Sequence, residues 1–261
     1  MSEPDAVLGL AVRLARAAGQ LQRERYETRF EIRVKSTPIN LVTEVDHACE
    51  KLIVEGIAAQ RPDDAIEAEE GSGGGREDAA WRWVIDPLDG TTNYAHGYPR
   101  FCVSIGVEHR GIRSVAAVYD PLLDELYTAV RGAGAWLGRR RLRVSQTRGL
   151  AEALVATGFA YDVRRSQDDN LDHFAALVKR ARGVRRDGSA ALDLCYVAAG
   201  RFDGFWELKL QPWDVAAGLL LVEEAGGCTS DLRGGPAPRS GRECLASNAL
   251  LHDELVAALS G

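Results

Sequence analysis

Residues 86–92 read Asp-Pro-Leu-Asp-Gly-Thr-Thr, directly after the apolar run Trp83-Val84-Ile85. Two carboxylates thus stand three positions apart at the end of a strand-like segment, and like charges so close repel unless something compensates them. Pro87 fixes its own φ and pushes Asp86 into extended backbone. Asp89-Gly90 reads as a turn, across which two such carboxylates can converge; on a regular strand they would face opposite sides. Two chemistries fit these residues. One is structural: an Asp-Gly turn with a threonine capping a helix. The other is a cation site, since hard divalent ions such as Mg2+ take oxygen ligands, one or two carboxylates per ion together with water and substrate phosphate.

Acidic residues elsewhere bear on that choice. Glu67, Glu69 and Glu70 precede the glycine-rich stretch 71–78, Glu44 and Asp46 lie in "LVTEVD", and Asp214 follows Pro212-Trp213 at an expected helix start. Taken singly, each reads as a solvated charge or a helix N-cap. Taken together they supply several carboxylates with apolar neighbours, each costly to bury uncompensated. Gly90-Thr91-Thr92 adds backbone amides at a helix start, where anions such as phosphate bind. Cations beside a phosphate cradle mean phosphoryl hydrolysis, with one ion activating water and another stabilising the leaving oxygen. A threonine hydroxyl oriented by a carboxylate can hold the attacking water.

The elements that must position these groups follow from periodicity. Val7, Leu10, Val12, Leu14, Ala17, Ala18 and Leu21 recur at helical spacing, which predicts an amphipathic helix over 4–26. A turn at 35–40 leads to a second helix that starts at Thr43 or Asp46 and ends before Pro62. Residues 71–78 read as a mobile loop. From 81 to 145 short β-branched and aromatic runs broken by Gly, Pro and Asp predict strands. Beyond that the pattern alternates: strand 153–157, helix 170–182, strand 183–186, helical run 189–199, strand-like 200–210, helix 214–225 closed by Gly226-Gly227, helix 248–259. The expectation is an α+β half over residues 1–145 and an α/β half over 146–261, in one compact unit.

Composition sets the boundaries. The 261 residues are 46% apolar and 27% charged, an ordinary globular balance. A net charge of −6 argues against a general nucleic-acid or membrane-surface protein. The opening MSEPDAVLGL lacks a basic stretch before an apolar core, so no secretory leader is expected, and no apolar run reaches the roughly 18 residues that span a bilayer. Cys49, Cys102, Cys195, Cys228 and Cys244 are scattered among apolar neighbours, which predicts reduced thiols in a cytoplasm and no zinc site.

Against this background "WVIDPLDGTTNYAHGYPRFCVSIGV" resembles the first signature of the inositol monophosphatase family, and "PWDVAAGLLLVEEAGG" its second. "KSTPINLVTEVD", "AEEG" and "GSAALDLCYVAAGRFDGFWEL" are similar to further family segments, in order and at family spacing, over about residues 5–260. The resemblance implies a layered αβαβα sandwich of the inositol monophosphatase and fructose-1,6-bisphosphatase type. It implies Mg2+ (two or three ions), usual lithium inhibition and a homodimer. Glu69, Asp86, the Leu88 carbonyl, Asp89 and Asp214 are then the metal ligands, with Asp86 bridging two ions. Glu69 and the Asp46–Thr91 pair position the water, and the Gly90 and Thr91 amides hold the phosphate. Asp89, Ala190 and Glu207 face the substrate hydroxyls, and Trp213 packs under the metal site. The implied activity is hydrolysis of a small phosphate monoester, first inositol 1-phosphate. Related members act on histidinol phosphate, fructose 1,6-bisphosphate, NADP or adenosine 3′,5′-bisphosphate.

Several residues depart from the family pattern: Asn40 for Asp, Ala68 for Gly, Asp187 for an apolar residue, a variable Gln211, and the loop 158–169. They bear on the substrate and leave the chemistry intact. Two other phosphatase patterns fit poorly. Cys195 and Arg201 have the C-x5-R spacing of cysteine phosphatases, but six residues on a helix separate them by about 240°. The aspartyl-phosphate motif D-x-D-G-T has one residue fewer than Asp86–Thr91. Basic segments 138–145 and 178–186 read as solvated faces, with RNA or the transcription machinery as the competing partner.

Overall fold

The protein is described here by a computed structural model covering residues 2–76 and 78–260. Helix α1 (Glu3–Arg25) begins in a capping box, Ser2 accepting from the Asp5 amide and Asp5 from the Ser2 amide. The hairpin β1 (Ile32–Val34) and β2 (Leu41–Thr43) leads into α2 (Glu44–Gln60). Then come β3 (Ala65–Ala68), β4 (Trp81–Asp89), the short α3 (Thr91–Ala95), β5 (Cys102–His109), β6 (Ile112–Asp120), β7 (Glu125–Val130), β8 (Gly134–Leu137) and β9 (Arg140–Arg141). The remainder is β10 (Leu154–Thr157), α4 (Leu171–Val178), β11 (Gly183–Arg185), α5 (Ala190–Ala198), β12 (Gly204–Leu208), α6 (Pro212–Glu224), β13 (Cys228–Ser230), β14 (Glu243–Ser247) and α7 (His252–Leu259).

Strands β3 to β9 form a seven-stranded sheet in sequence order, and a five-stranded sheet runs β11-β10-β12-β14-β13. Alternation along the strands gives each sheet two apolar faces. Val115, Ala117 and Tyr119 of β6 pack with α1 and α2, while Ala116 and Val118 join the layer that holds α5 and α6. On the far side of the second sheet, Val155, Trp206 and Leu245 pack against Leu177 of α4 and Leu251, Leu255 and Leu259 near α7. The order is α1/α2, large sheet, α5/α6, small sheet, α4/α7: the expected αβαβα sandwich.

Helix α6 lies close on the large sheet because β5 carries Gly106 there. A Cβ at Gly106 would stand 2.7 Å from Ala216 Cβ and 2.9 Å from the Ala217 amide nitrogen. That closeness brings the first turn of α6, with Asp214, beside the end of β4.

The structure corrects several sequence expectations. Asp86 and Asp89 lie within β4, and the chain makes no turn between them. β4 pairs with β5 through Asp86↔Ser104 and Asp89↔Cys102, so three steps on one strand oppose two on the other. The extra residue is a β-bulge at Pro87, which has no N–H to give the ladder. One inserted residue restores positions three apart to one face. Asp46 and Asp214 are third residues of their helices; Thr43 and Gln211 hold the N-caps. Helices α4 and α7 are shorter than predicted. Strands β1, β2, β3, β13 and β14 were not predicted: each spans three to five residues, too short for a period. In the 71–78 segment Gly74 bridges to Ile66, and Glu77 lies outside the described residues. All five cysteines are unpaired, and Cys228 alone is not buried. Cys195 packs inside α5 while Arg201 pairs with Glu125, so they enclose no loop.

Replacing Gly106 with Val should force α6 off the sheet. Urea unfolding should show a loss of about 1–3 kcal/mol or more, the cost of overpacking; an unchanged midpoint would contradict the close packing.

Candidate active site

A cavity of about 520 Å³ opens where the ends of β3, β4, β12 and α6 meet. Glu69, Asp86, Leu88, Asp89, Gly90, Thr91, Ala190, Glu207 and Asp214 all line it. Asp46 does not; it stands behind the wall and acts through Thr91.

Each acidic side chain has its own support. Strand β3 runs parallel to β4 with Ala68 opposite Ile85, so the next residue, Glu69, comes level with Asp86. The Leu88 amide donates to Asp86 Oδ1 at 2.9 Å. Asp89 Oδ2 accepts from Ser189 Oγ and from the Ala191 amide, each at 2.7 Å, which ties the bulge to the start of α5. Asp214 Oδ2 accepts from the Gln211 amide at 2.6 Å. Thr43 donates to Asp46 Oδ2 through its amide at 2.9 Å and its hydroxyl at 2.5 Å. Asp46 Oδ1 accepts from Thr91 Oγ1 at 2.8 Å, and the Leu88 carbonyl lies 3.1 Å from the same hydroxyl. So Asp46 and Asp214, although not the N-caps themselves, each close a capping box from the third helical position with one carboxylate oxygen.

These carboxylates raise one another's proton affinity. Burial, then Glu69, Asp89 and Asp214, hold Asp86 well above the usual carboxylate range. Burial pushes Asp89 up to about 6, opposed by Ser189 and Ala191 and reinforced by Glu69. Asp214 is raised well above its ordinary value by withdrawal from water and then by Asp89. Asp46 is raised by burial, against its threonine bonds. Among the described residues, the cation in contact with this group is Lys35, whose Nζ donates to Glu69 Oε1 at 2.9 Å and Glu70 Oε1 at 2.5 Å. Burial would lower the Lys35 pKa, but those two glutamates hold it above its usual value. Glu67, by contrast, turns away to Arg82 and Arg239.

On the opposite wall, the Glu207 carboxyl packs on the backbone of Gly158. A Cβ there would lie 2.2 Å from Glu207 Oε2, so any larger residue would force the carboxyl to move from this place. Burial pushes Glu207 up to about 8, with Arg186 opposing and Asp89 reinforcing. Trp213 is half-exposed and forms part of the cavity wall, which corrects its expected place beneath the site. Lys35, Tyr161, Arg186 and Lys209 also line the cavity and were not read from the sequence. Isolated basic or aromatic residues carry no periodic or spacing signal; only the fold brings them here.

An oxygen-only set of mutually destabilised carboxylates suits a hard divalent cation. Among the described residues, no three Asp, Glu, His or Cys side chains stand grouped around one point at coordinating distance. The fold therefore delivers the expected ligands to one cavity rather than to one closed cage.

The model of the inositol monophosphatase family matches residues 3–261. An inositol-1-monophosphatase of Synechocystis is 46% identical over 230 residues, covering 88% of this chain and 80% of that protein. The Nus factor SuhB of Pseudomonas aeruginosa is 49% identical over 235 residues, 87% of this chain and 86% of its own. Among solved structures, the inositol monophosphatase of Anabaena (Nostoc) superposes with a TM-score of 0.90 at 42% identity, over 99% of this chain and 97% of that one. The extragenic suppressor protein suhB of Bartonella henselae gives 0.91 at 39%, over 97% and 98%. A family match along almost the whole described chain, with relatives this similar in sequence and in fold, places the protein: it belongs to the inositol monophosphatase family.

Proposed function

We propose that the protein is a Mg2+-dependent phosphomonoesterase, with inositol 1-phosphate as the leading substrate. The observation that carries this reading is the Thr91–Asp46 hydrogen bond beside Glu69, Asp86, Asp89 and Asp214 on one cavity wall. Glu69, Asp86, the Leu88 carbonyl, Asp89 and Asp214 are the residues that would hold Mg2+. When bound, the cation supplies charge neutralisation and a water of lowered pKa.

The chain's own residues do the rest. Thr91 gives its hydroxyl proton to Asp46, so its oxygen lone pairs are left to accept a hydrogen bond from the attacking water. The bond to buried Asp46 fixes that orientation. Glu69, on the same wall, takes the water's second proton contact. The Gly90 and Thr91 amides, at the start of α3, hold the phosphate. Asp89, Ala190 and Glu207 meet the alcohol part. With its proton affinity raised, the Glu207 carboxyl is neutral near pH 7 and can donate to a substrate hydroxyl as well as accept from one. Five unpaired thiols suit a reducing compartment such as the cytoplasm.

Relatives named Nus factor SuhB keep in view the competing RNA or transcription-machinery partner, and exposed Arg139, Arg140 and Arg141 give it a surface. Phosphate release distinguishes the two. Purified protein should release phosphate from at least one of inositol 1-phosphate, histidinol phosphate, fructose 1,6-bisphosphate or adenosine 3′,5′-bisphosphate when Mg2+ is present. RNA binding with no release from any of them would overturn the enzyme reading. Asp86→Asn should abolish release from all of them alike; retained activity would remove Asp86 from the metal ligands. Thr91→Val should lower kcat by about 10²–10⁴-fold, the usual worth of a positioned proton acceptor, with a normal unfolding profile. Glu207→Gln should reorder the polyol substrates by KM while leaving kcat for the best of them within about threefold; a uniform loss of kcat would assign Glu207 to the chemistry instead.

A further inference from the structure

Lys209 follows β12, two residues after Glu207, and its φ is +61°. That is the left-handed region, which glycine enters freely and lysine does not. The strained position has a consequence for the side chain. Lys209 Nζ donates to Asp162 Oδ2 at 2.9 Å and to Ser166 Oγ at 2.7 Å, and it lies 3.8 Å from Asp168 Oδ2. All three partners belong to residues 158–169, the segment between β10 and α4.

This segment forms a wall of the cavity through Phe159, Ala160, Tyr161 and Val163. It has little core of its own. Tyr161 is 47% exposed, and Asp162, Arg164, Arg165 and Asp168 are exposed as well. On the side away from Lys209, Thr37 donates to the Tyr161 carbonyl at 3.3 Å. A lone surface ion pair would fix such a loop poorly. Here one ammonium serves three groups, and its side chain is only 22% exposed, which reduces screening by solvent.

We propose that Lys209 is a positioning residue: it fixes the 158–169 loop over the cavity and so sets how tightly the alcohol part of the substrate is held. The proposal rests on the phosphatase reading of the cavity. Lys209 touches no reacting atom in this scheme.

Trypsin provides a direct readout, since Arg164 and Arg165 lie inside the loop. Lys209→Gly is compatible with the local backbone, so folding is not threatened. In native protein it should raise the rate of cleavage after Arg164 and Arg165 by about tenfold, as local opening becomes easier. KM for the best substrate should rise about three- to tenfold with kcat changed less than about twofold, and Tm should hold or rise. Lys209→Arg should restore both cleavage resistance and KM. The triple variant Asp162→Ala/Ser166→Ala/Asp168→Ala, which removes the three partners and keeps Lys209, should match Lys209→Gly. Unchanged cleavage and unchanged KM in Lys209→Gly would overturn the proposal. So would parallel losses of kcat and Tm with no gain in loop cleavage. If the wild type releases no phosphate from any monoester, the phosphatase reading fails, and the cleavage rates still decide whether Lys209 holds the loop.

Discussion

Four carboxylates share one cavity wall, and their mutual repulsion is the constraint to which the surrounding structure answers. Asp86 and Asp89 come from one bulged strand, Glu69 from the strand beside it, and Asp214 from the first turn of α6. Left alone, such a group would take up protons or move apart. Lys35 relieves Glu69 and Glu70, and backbone amides relieve one oxygen each on Asp86, Asp89 and Asp214. These bonds hold the side chains in place without cancelling their charge. On the proposed function a divalent cation would complete the compensation, which would account for mutually destabilising acids standing beside the helix start proposed to hold phosphate.

The layers of the sandwich are what make that assembly rigid. The α6 backbone rests on Gly106, and α5 is tied to the bulge through Asp89. Asp46 is locked in the α2 cap and reaches the cavity only through Thr91. Chemistry and capping are therefore not competing explanations for Asp46 and Asp214. The same carboxylate that completes a helix start is held by it in a fixed place. On the proposed reading, selectivity would be built from different parts: Glu207 against Gly158, and the 158–169 loop with Lys209 bonded to it.

Much of this was legible in the residues. The long helix α1 showed its periodicity, α2 its start signal and its stop before Pro62, and the strand-rich middle its Gly and Pro punctuation; of the acidic groups named from the sequence, Glu69, Asp86, Asp89, Glu207 and Asp214 line the cavity, while Glu44, Asp46, Glu67 and Glu70 do not. What was illegible has physical reasons. A β-bulge at Pro87 looks like a turn, because both are marked by Pro and Asp-Gly; only the partner strand's register reveals the inserted residue. Strands such as β3 and β13 are too short to show a period and owe their state to neighbours. Lys35 and Lys209 gain meaning only from contacts 34 and 47 residues away. Asp187, out of place in the family pattern, gives its carbonyl to Asn93 and lies 4.0 Å from Arg100.

Thermal unfolding with and without Mg2+ at pH 8 and pH 5 tests the compensation directly. The raised acids, with Asp89 near 6 and Glu207 near 8, bind more protons folded than unfolded. In metal-free protein their contribution to stability is therefore present at low pH and lost as pH rises from about 4 through those values. Mg2+ should raise Tm at pH 8, in proportion to its concentration on a logarithmic scale, and the gain should shrink at pH 5, where protons already neutralise the site. A Tm at pH 8 that is the same in EDTA and in saturating Mg2+ would contradict a cation as the group these carboxylates are built to hold.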